Sequence, residues 1–108
     1  MKKHILILGS SGFLGKLLYN ILKRKFNVDH TGLLKRKLNI KKISNLKKLI
    51  QKNKYDYLIN CVALTNVDIC ENNKKEAFNL NVKLVKDILF LKETIGLKFK
   101  LIHFSTDQ

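Results

Sequence analysis

Three glycines stand at fixed spacing near the start of the chain, in the run Gly9-Ser10-Ser11-Gly12-Phe13-Leu14-Gly15. The run follows the apolar residues Ile5 to Leu8 and opens an amphipathic stretch, so it reads as a turn from strand into helix. Such a turn suits phosphate chemistry. Gly9 permits a tight exit from the strand, Gly12 lets a pyrophosphate approach the backbone, and Gly15 lets the helix pack close to the sheet. The helix N-terminus adds free N–H groups and a partial positive charge, and Ser11 offers a hydroxyl donor. The expected ligand is a dinucleotide.

A second group of residues bears on which dinucleotide. After the second strand the sequence reads Asp29-His30-Thr31-Gly32-Leu33-Leu34-Lys35-Arg36. An acid at the loop would bond a ribose 2′-hydroxyl, as in NAD; a cation would attract the 2′-phosphate of NADP. Asp29 falls inside the strand, too early for the ribose. Lys35 and Arg36 fall in the loop, Thr31 can give a hydroxyl, and Arg36 can grip a phosphate bidentately. The expectation is NADP in preference to NAD.

Other chemistry is thin. His4, His30 and His103 lack partners at metal or triad spacing. Cys61 and Cys70 form neither a disulfide framework nor a metal cluster, so they read as small buried residues in a reduced, cytoplasmic compartment. The net charge is +14, from 22 cations against 8 acids. Nine cations and no acid lie between Lys35 and Lys54, which reads as a solvated helix face and loop. Nearly all the cations are lysine, and Lys, Asn and Ile are enriched together, as A/T-rich codons would produce. Nucleic-acid readers favour arginine, and only Arg24 and Arg36 are present, so no specific nucleic-acid partner is expected. The apolar run Ile5 to Leu8 is shorter than the roughly seven residues a secretory signal needs, and nothing approaches the ~20 apolar residues of a membrane span.

The elements that must position these residues alternate. Strands are expected at Lys3–Leu8, Val28–Thr31, Lys37–Asn39 (very short), Tyr57–Val62 and Phe99–Phe104. Helices are expected at Gly12–Lys25, Ile43–Lys52 and Lys74–Ile95, with Gly96 as a C-terminal glycine. Inward faces are expected from Phe13, Leu14, Leu17, Leu18, Ile21 and Leu22 on the first helix, Ile43, Leu46, Leu49 and Ile50 on the second, and Phe78, Val82, Val85 and Leu89 on the third. The 108 residues are one domain's worth of chain, with no internal repeat. The fold class is α/β: the N-terminal part of a Rossmann-like doubly wound parallel sheet, in strand order 3-2-1-4-5.

The motifs taken together resemble those of the extended short-chain dehydrogenase/reductases, in the dTDP-4-dehydrorhamnose reductase branch. Gly9 to Gly15 has that family's G-x-x-G-x-x-G spacing. Leu38-Asn39-Ile40 resembles its Leu-Asp-Ile segment. Asp56-Tyr57-Leu58-Ile59-Asn60-Cys61-Val62-Ala63 resembles its fourth strand and following turn. Thr65-Asn66-Val67-Asp68-x-x-Glu71 is similar to its Thr-x-Val-Asp-x-x-Glu run. Asn79-Leu80-Asn81-Val82 and His103-Phe104-Ser105-Thr106-Asp107 complete the likeness, which covers the whole chain in order.

The resemblance implies an NAD(P)H-dependent reduction of a 4-keto nucleotide sugar. It implies dinucleotide contacts at Gly9, Ser11, Gly12, Phe13, Leu14 and Gly15, at Thr31, Lys35 and Arg36, at Asn39 and Ile40, at Cys61, Val62, Ala63 and Thr65, and at Asn81. Asp68 and Glu71 would lie near substrate or complement a helix N-terminus. Thr106 would be the hydroxyl of a Thr-Tyr-Lys catalytic set. The tyrosine and lysine of that set are expected some twenty residues beyond Thr106, on a following helix. Tyr19-x-x-x-Lys23 has the right spacing but lies on the first helix, away from the end of the last strand. Two departures change details: Asn39 stands where an acid is usual, and Cys61-Val62 make a bulkier wall on the nicotinamide side.

In this reading residues 1–108 are an NAD(P)-binding domain, incomplete at the C-terminus and without the substrate domain. The sugar nucleotide would bind only to a longer chain. The alternative is a non-catalytic nucleotide-binding module, like the regulatory β subunit of methionine adenosyltransferase, or a truncated remnant. The strand Phe99–Phe104 would present an unpaired apolar edge open to self-association. General acid catalysis contributes about 10²- to 10⁴-fold, so the purified chain is expected to oxidise no NAD(P)H with dTDP-4-dehydro-6-deoxy-L-mannose. Measurable turnover would refute that expectation.

Overall fold

The computed structural model describes residues 2–10, 12–31, 43–62 and 74–104, with the side chains of the last stretch described from residue 82 onward. The elements are β1 (His4–Leu8), α1 (Phe13–Leu22), β2 (Asn27–Thr31), α2 (Ile43–Gln51), β3 (Tyr57–Asn60), α3 (Lys74–Ile95) and β4 (Lys100–His103). The described strands form one parallel sheet of 4 strands in the order β2-β1-β3-β4. This is the Rossmann-like order expected from the sequence, less the short strand at Lys37–Asn39, which lies outside the described residues. No described helix is long and apolar enough to cross a membrane.

The central strand β1 is buried on both faces, as its unbroken Ile-Leu-Ile-Leu run requires. Its odd and even residues serve two separate cores. Ile5 and Ile7 join Ile59 under α1, packed by Leu18, Tyr19 and Leu22. Leu6 and Leu8 join Leu58 and Val62 on the other face, beneath Leu46 and Ile50 of α2 and Leu84, Ile88 and Leu91 of α3. The sheet is thus covered by α1 on one face and by α2 and α3 on the other.

Two expected helix faces are rotated. On α1 the apolar pairs form two adjacent rows about 100° apart, and the sheet covers one. Leu14, Leu18 and Leu22 are half-buried, while Phe13, Leu17 and Ile21 are 87%, 46% and 56% exposed. Buried Gly15 brings this side of the helix onto the sheet and turns the other row outward. On α3 the inward row is Leu84, Ile88, Leu91 and Ile95, one position round from the expected Val82, Val85 and Leu89. Leu89 is 48% exposed. The side chain of Phe78 lies outside the described residues.

Element ends follow local chemistry. Gly96 has φ +77°, and Leu97 N–H bonds the Lys92 carbonyl at 2.9 Å, so α3 closes as its terminal glycine predicts. Strand β4 is shorter than expected. Phe99 is buried in the core before the strand begins, so the exposed apolar residues at this edge are Ile102 and Phe104.

The N-terminal edge of the sheet is tied by a polar network. His4 N–H donates to Asp56 Oδ2 at 2.8 Å, and Asp56 N–H donates to the His4 carbonyl at 2.7 Å. Asp29 Oδ2 accepts from Tyr55 O–H and Asn53 Nδ2, both at 2.7 Å, and lies 3.1 Å from His4 Nε2. Burial alone would raise the Asp29 pKa, but the bonds from Tyr55, Asn53 and His4 together outweigh it and hold the carboxyl below its ordinary 3.8. Burial, and then the bond to Asp29, push the Tyr55 hydroxyl up to about 12.

The sign of the pH effect follows. A carboxyl whose folded pKa is depressed stabilises the fold above its unfolded pKa, and that contribution is lost as pH falls through the lower folded value. The Asp29 side chain is 36% exposed, so solvent screening limits the effect. We expect Asp29→Asn to destabilise the chain by about 1–2 kcal/mol near neutral pH. In denaturant titrations the gap to wild type should narrow on acidification below pH 3.8. A gap that is constant with pH, or wider in acid, contradicts this role.

Candidate functional site

At the opposite edge, the carboxyl ends of β1, β2 and β3 converge on the glycine run. Gly9 leaves β1 with φ +83°. Its N–H and that of Ser10 both donate to the Thr31 carbonyl at the end of β2, at 2.8 and 3.0 Å. Cys61 N–H donates to the Leu8 carbonyl at 2.8 Å, which brings the end of β3 against the same turn. A Cβ on Gly9 would lie 2.8 Å from both the Cys61 carbonyl carbon and the Val62 nitrogen. A Cβ on Gly15 would lie 2.2 Å from the Gly9 carbonyl oxygen. Both contacts are with backbone, which cannot swing aside.

Gly12 differs. It is exposed, its φ of −79° suits any residue, and a Cβ there would meet only the Gly9 oxygen at an ordinary 3.7 Å. It sits at the N-cap of α1, where no side chain caps the helix and the first turn holds no acid. The N–H groups of the first turn have no partner within the helix. The arrangement is a backbone donor cradle with a positive helix end, open where an anion would approach.

The other expected site residues divide. Phe13 and Leu14 begin α1 beside Gly12, with Phe13 exposed and Leu14 half-buried. Thr31 is 7% exposed, and its carbonyl is the acceptor that pins the turn. Val62 packs in the core under α2 and α3, and Cys61 packs against the core under α1, so it is their backbone that meets Gly9. Burial raises the Cys61 thiol pKa. Ser11, Lys35, Arg36, Asn39, Ile40, Ala63, Thr65, Asp68, Glu71 and Thr106 lie outside the described residues, as does the side chain of Asn81.

Asn60, at the end of β3, is fully buried. Its Oδ1 accepts from Val62 N–H at 3.1 Å and its Nδ2 lies 3.0 Å from His103 Nδ1. It therefore holds the turn after β3 and links it to β4.

Sequence reasoning passed over Ser10 and His30. Ser10 Oγ lies 2.9 Å from His30 Nδ1. The two residues are far apart in sequence, so no local spacing signals them; only the parallel register, which sets His30 beside Ile7, brings them together. Tyr19 lies against the His30 ring, with centroids 4.2 Å apart, and Lys23 Nζ is 5.2 Å from the Tyr19 ring centroid. The Tyr-x-x-x-Lys copy on α1 is thus occupied on the flank of β2.

A separate groove of about 770 Å³ lies at the N-terminal edge, lined by residues 50–56 and 96–99. The C-terminal ends of α2 and α3 border it, and their carbonyls repel anions. Ligands of doubly wound sheets bind at the carboxyl ends of the strands, so the glycine turn is the candidate site.

The family model described as "RmlD substrate binding domain" matches residues 1–108. The chain belongs to that family. No curated protein matches its sequence. Among solved structures, this RmlD family chain is similar to dTDP-4-dehydrorhamnose reductase from Bacillus anthracis in complex with NADP. Identity is 26%, coverage is 94% of this chain and 35% of that one, and the TM-score is 0.75. The Clostridium acetobutylicum dTDP-4-dehydrorhamnose reductase is 27% identical, over 91% of this chain and 34% of that one, with a TM-score of 0.71. A GDP-L-fucose synthetase from Naegleria fowleri bound to NADP is 26% identical, over 94% and 33%, with a TM-score of 0.74. The chain therefore spans about a third of the length of these structures.

The packing separates two glycines by thermal melting. Gly15→Ala forces backbone apart, an overpacking of about 3 kcal/mol or more, and should lower Tm by more than about 10 °C. A Cβ on Gly96 meets nothing within 4 Å. Gly96→Ala carries only left-handed strain, about 1–2 kcal/mol. Equal melting shifts for the two would contradict the close approach at Gly15.

Proposed function

We propose that residues 1–108 are the dinucleotide-binding domain of a sugar-nucleotide reductase of the dTDP-4-dehydrorhamnose type, with NADP preferred to NAD. The observation that carries this reading is Gly12. The fold needs no glycine there, whereas packing demands one at Gly9 and at Gly15. A bare backbone at an exposed helix N-cap is explained by a ligand that must come close. The NADP complexes of the Bacillus and Naegleria proteins support the same ligand class.

In this reading the N–H groups at the start of α1 hold the pyrophosphate, together with Ser11. Thr31, Lys35 and Arg36 hold the ribose 2′-phosphate, and Asn39 and Ile40 flank the adenine. Cys61, Val62, Ala63 and Thr65, with Asn81, border the nicotinamide. The cofactor, when bound, supplies hydride to the substrate carbonyl. Thr106 hydrogen-bonds that carbonyl and the alkoxide as it forms.

Calorimetric titration tests the reading. Gly12→Ala should leave Tm within a few degrees of wild type yet weaken NADPH binding at least about tenfold, because its Cβ occupies the approach path. Arg36→Ala should lower the preference for NADPH over NADH by about tenfold to a hundredfold, the value of a charge-assisted contact. Equal or tighter binding of NADH by the wild-type chain, or full NADPH affinity in Gly12→Ala, contradicts the proposal.

A further inference from the structure

We propose that His30 is a positioning residue for the phosphate turn, acting through the hydroxyl of Ser10; the proposal rests on reading that turn as the dinucleotide site. Ser10 is 9% exposed and its Oγ lies 2.9 Å from His30 Nδ1. With the proton on Nε2, the imidazole accepts at Nδ1, and the Ser10 hydroxyl, donating there, commits its proton to the protein rather than to a phosphate. Ser10 is the anchor of the turn, and the donors to the ligand are the backbone N–H groups beyond it.

Among the described residues, the Ser10–His30 bond adds a side-chain tie to the backbone ones on this stretch. Gly9 and Ser10 are pinned by their N–H groups to the Thr31 carbonyl. Beyond Ser10, Gly12 N–H reaches the Gly9 carbonyl at a long 3.3 Å. A turn with glycine at both ends has wide backbone freedom, and freezing it on binding opposes affinity. The Ser10–His30 bond removes part of that freedom beforehand. The His30 ring also lies against the Tyr19 ring, with centroids 4.2 Å apart, and Lys23 Nζ is 5.2 Å from the Tyr19 centroid. Ser10, His30 and Tyr19 thus join the turn, β2 and α1. These three elements set where the N–H groups of the first helical turn point.

The experiment is a binding series on the 108-residue chain. Its ligands are NADPH, ADP and adenosine 2′-monophosphate. His30→Leu should weaken NADPH and ADP about threefold to tenfold, the value of one neutral hydrogen bond. Adenosine 2′-monophosphate has no pyrophosphate and should change less than about twofold on the same scale. His30→Asn puts an amide atom at the Nδ1 position and should restore most of the affinity. Ser10→Ala gives the same loss through a different residue, and it guards against a folding defect in the β2 variant. The double variant should lose no more than either single one. Unchanged NADPH binding in His30→Leu, additive losses in the double variant, or an equal loss on adenosine 2′-monophosphate overturns the proposal while leaving the site reading intact. A wild-type chain that binds none of the three ligands overturns both.

Discussion

The Gly9 carbonyl and the Gly15 α-carbon occupy space that no side chain can share. A Cβ on Gly15 would stand 2.2 Å from that oxygen. This contact sets how near α1 lies to the sheet, and hence which row of the helix is inward. It also places the helix N-terminus directly over the carboxyl end of β1. On its other side the same turn meets the backbone of Cys61 and Val62 as β3 ends. One sterically intolerant junction therefore joins β1, α1 and β3, and the exposed helix N-terminus lies on its open side.

The two edges of the sheet are built differently. At the N-terminal edge, side chains do the fastening: Asp29 collects Tyr55, Asn53 and His4, and Asp56 brackets the His4 backbone. At the carboxyl edge, among the described residues, the Thr31 and Leu8 carbonyls and two glycines fasten the turn through backbone, and Asn60 and the Ser10–His30 pair add side-chain ties. Asp29, the acid on β2, belongs to the first edge.

Much of this was legible in the sequence, for reasons that differ by residue. The Ile-Leu-Ile-Leu run of β1 announced a strand buried on both faces, and Gly96 announced the end of α3. The glycine spacing marked the turn because Gly9 and Gly15 answer steric demands that only glycine meets, while Gly12 between them does not. Helix faces were legible in period but not in phase: α1 carries two apolar rows, and the contact at Gly15, a tertiary fact, selects Leu14, Leu18 and Leu22. Likewise Val85 and Leu89 fit a helical stripe, but so do Leu84, Ile88 and Leu91, which fill more of the core. The Ser10–His30 pair was invisible because sequence separation hides contacts made by strand register. The edge at β4 looked longer than it is because Phe99 reads as strand while packing as core.

The central claim is that the carboxyl edge, with its uncapped helix end and bare Gly12, is where a dinucleotide binds. The direct test is amide chemical-shift mapping of the isotopically labelled chain as NADPH is added. The account predicts the largest shifts at Gly9, Gly12, Phe13, Leu14, Thr31 and Cys61, with Asn53, Gly96 and Lys98 at the opposite edge unmoved. Shifts concentrated at the groove around Asn53, Gly96 and Lys98, with the glycine turn silent, would contradict it.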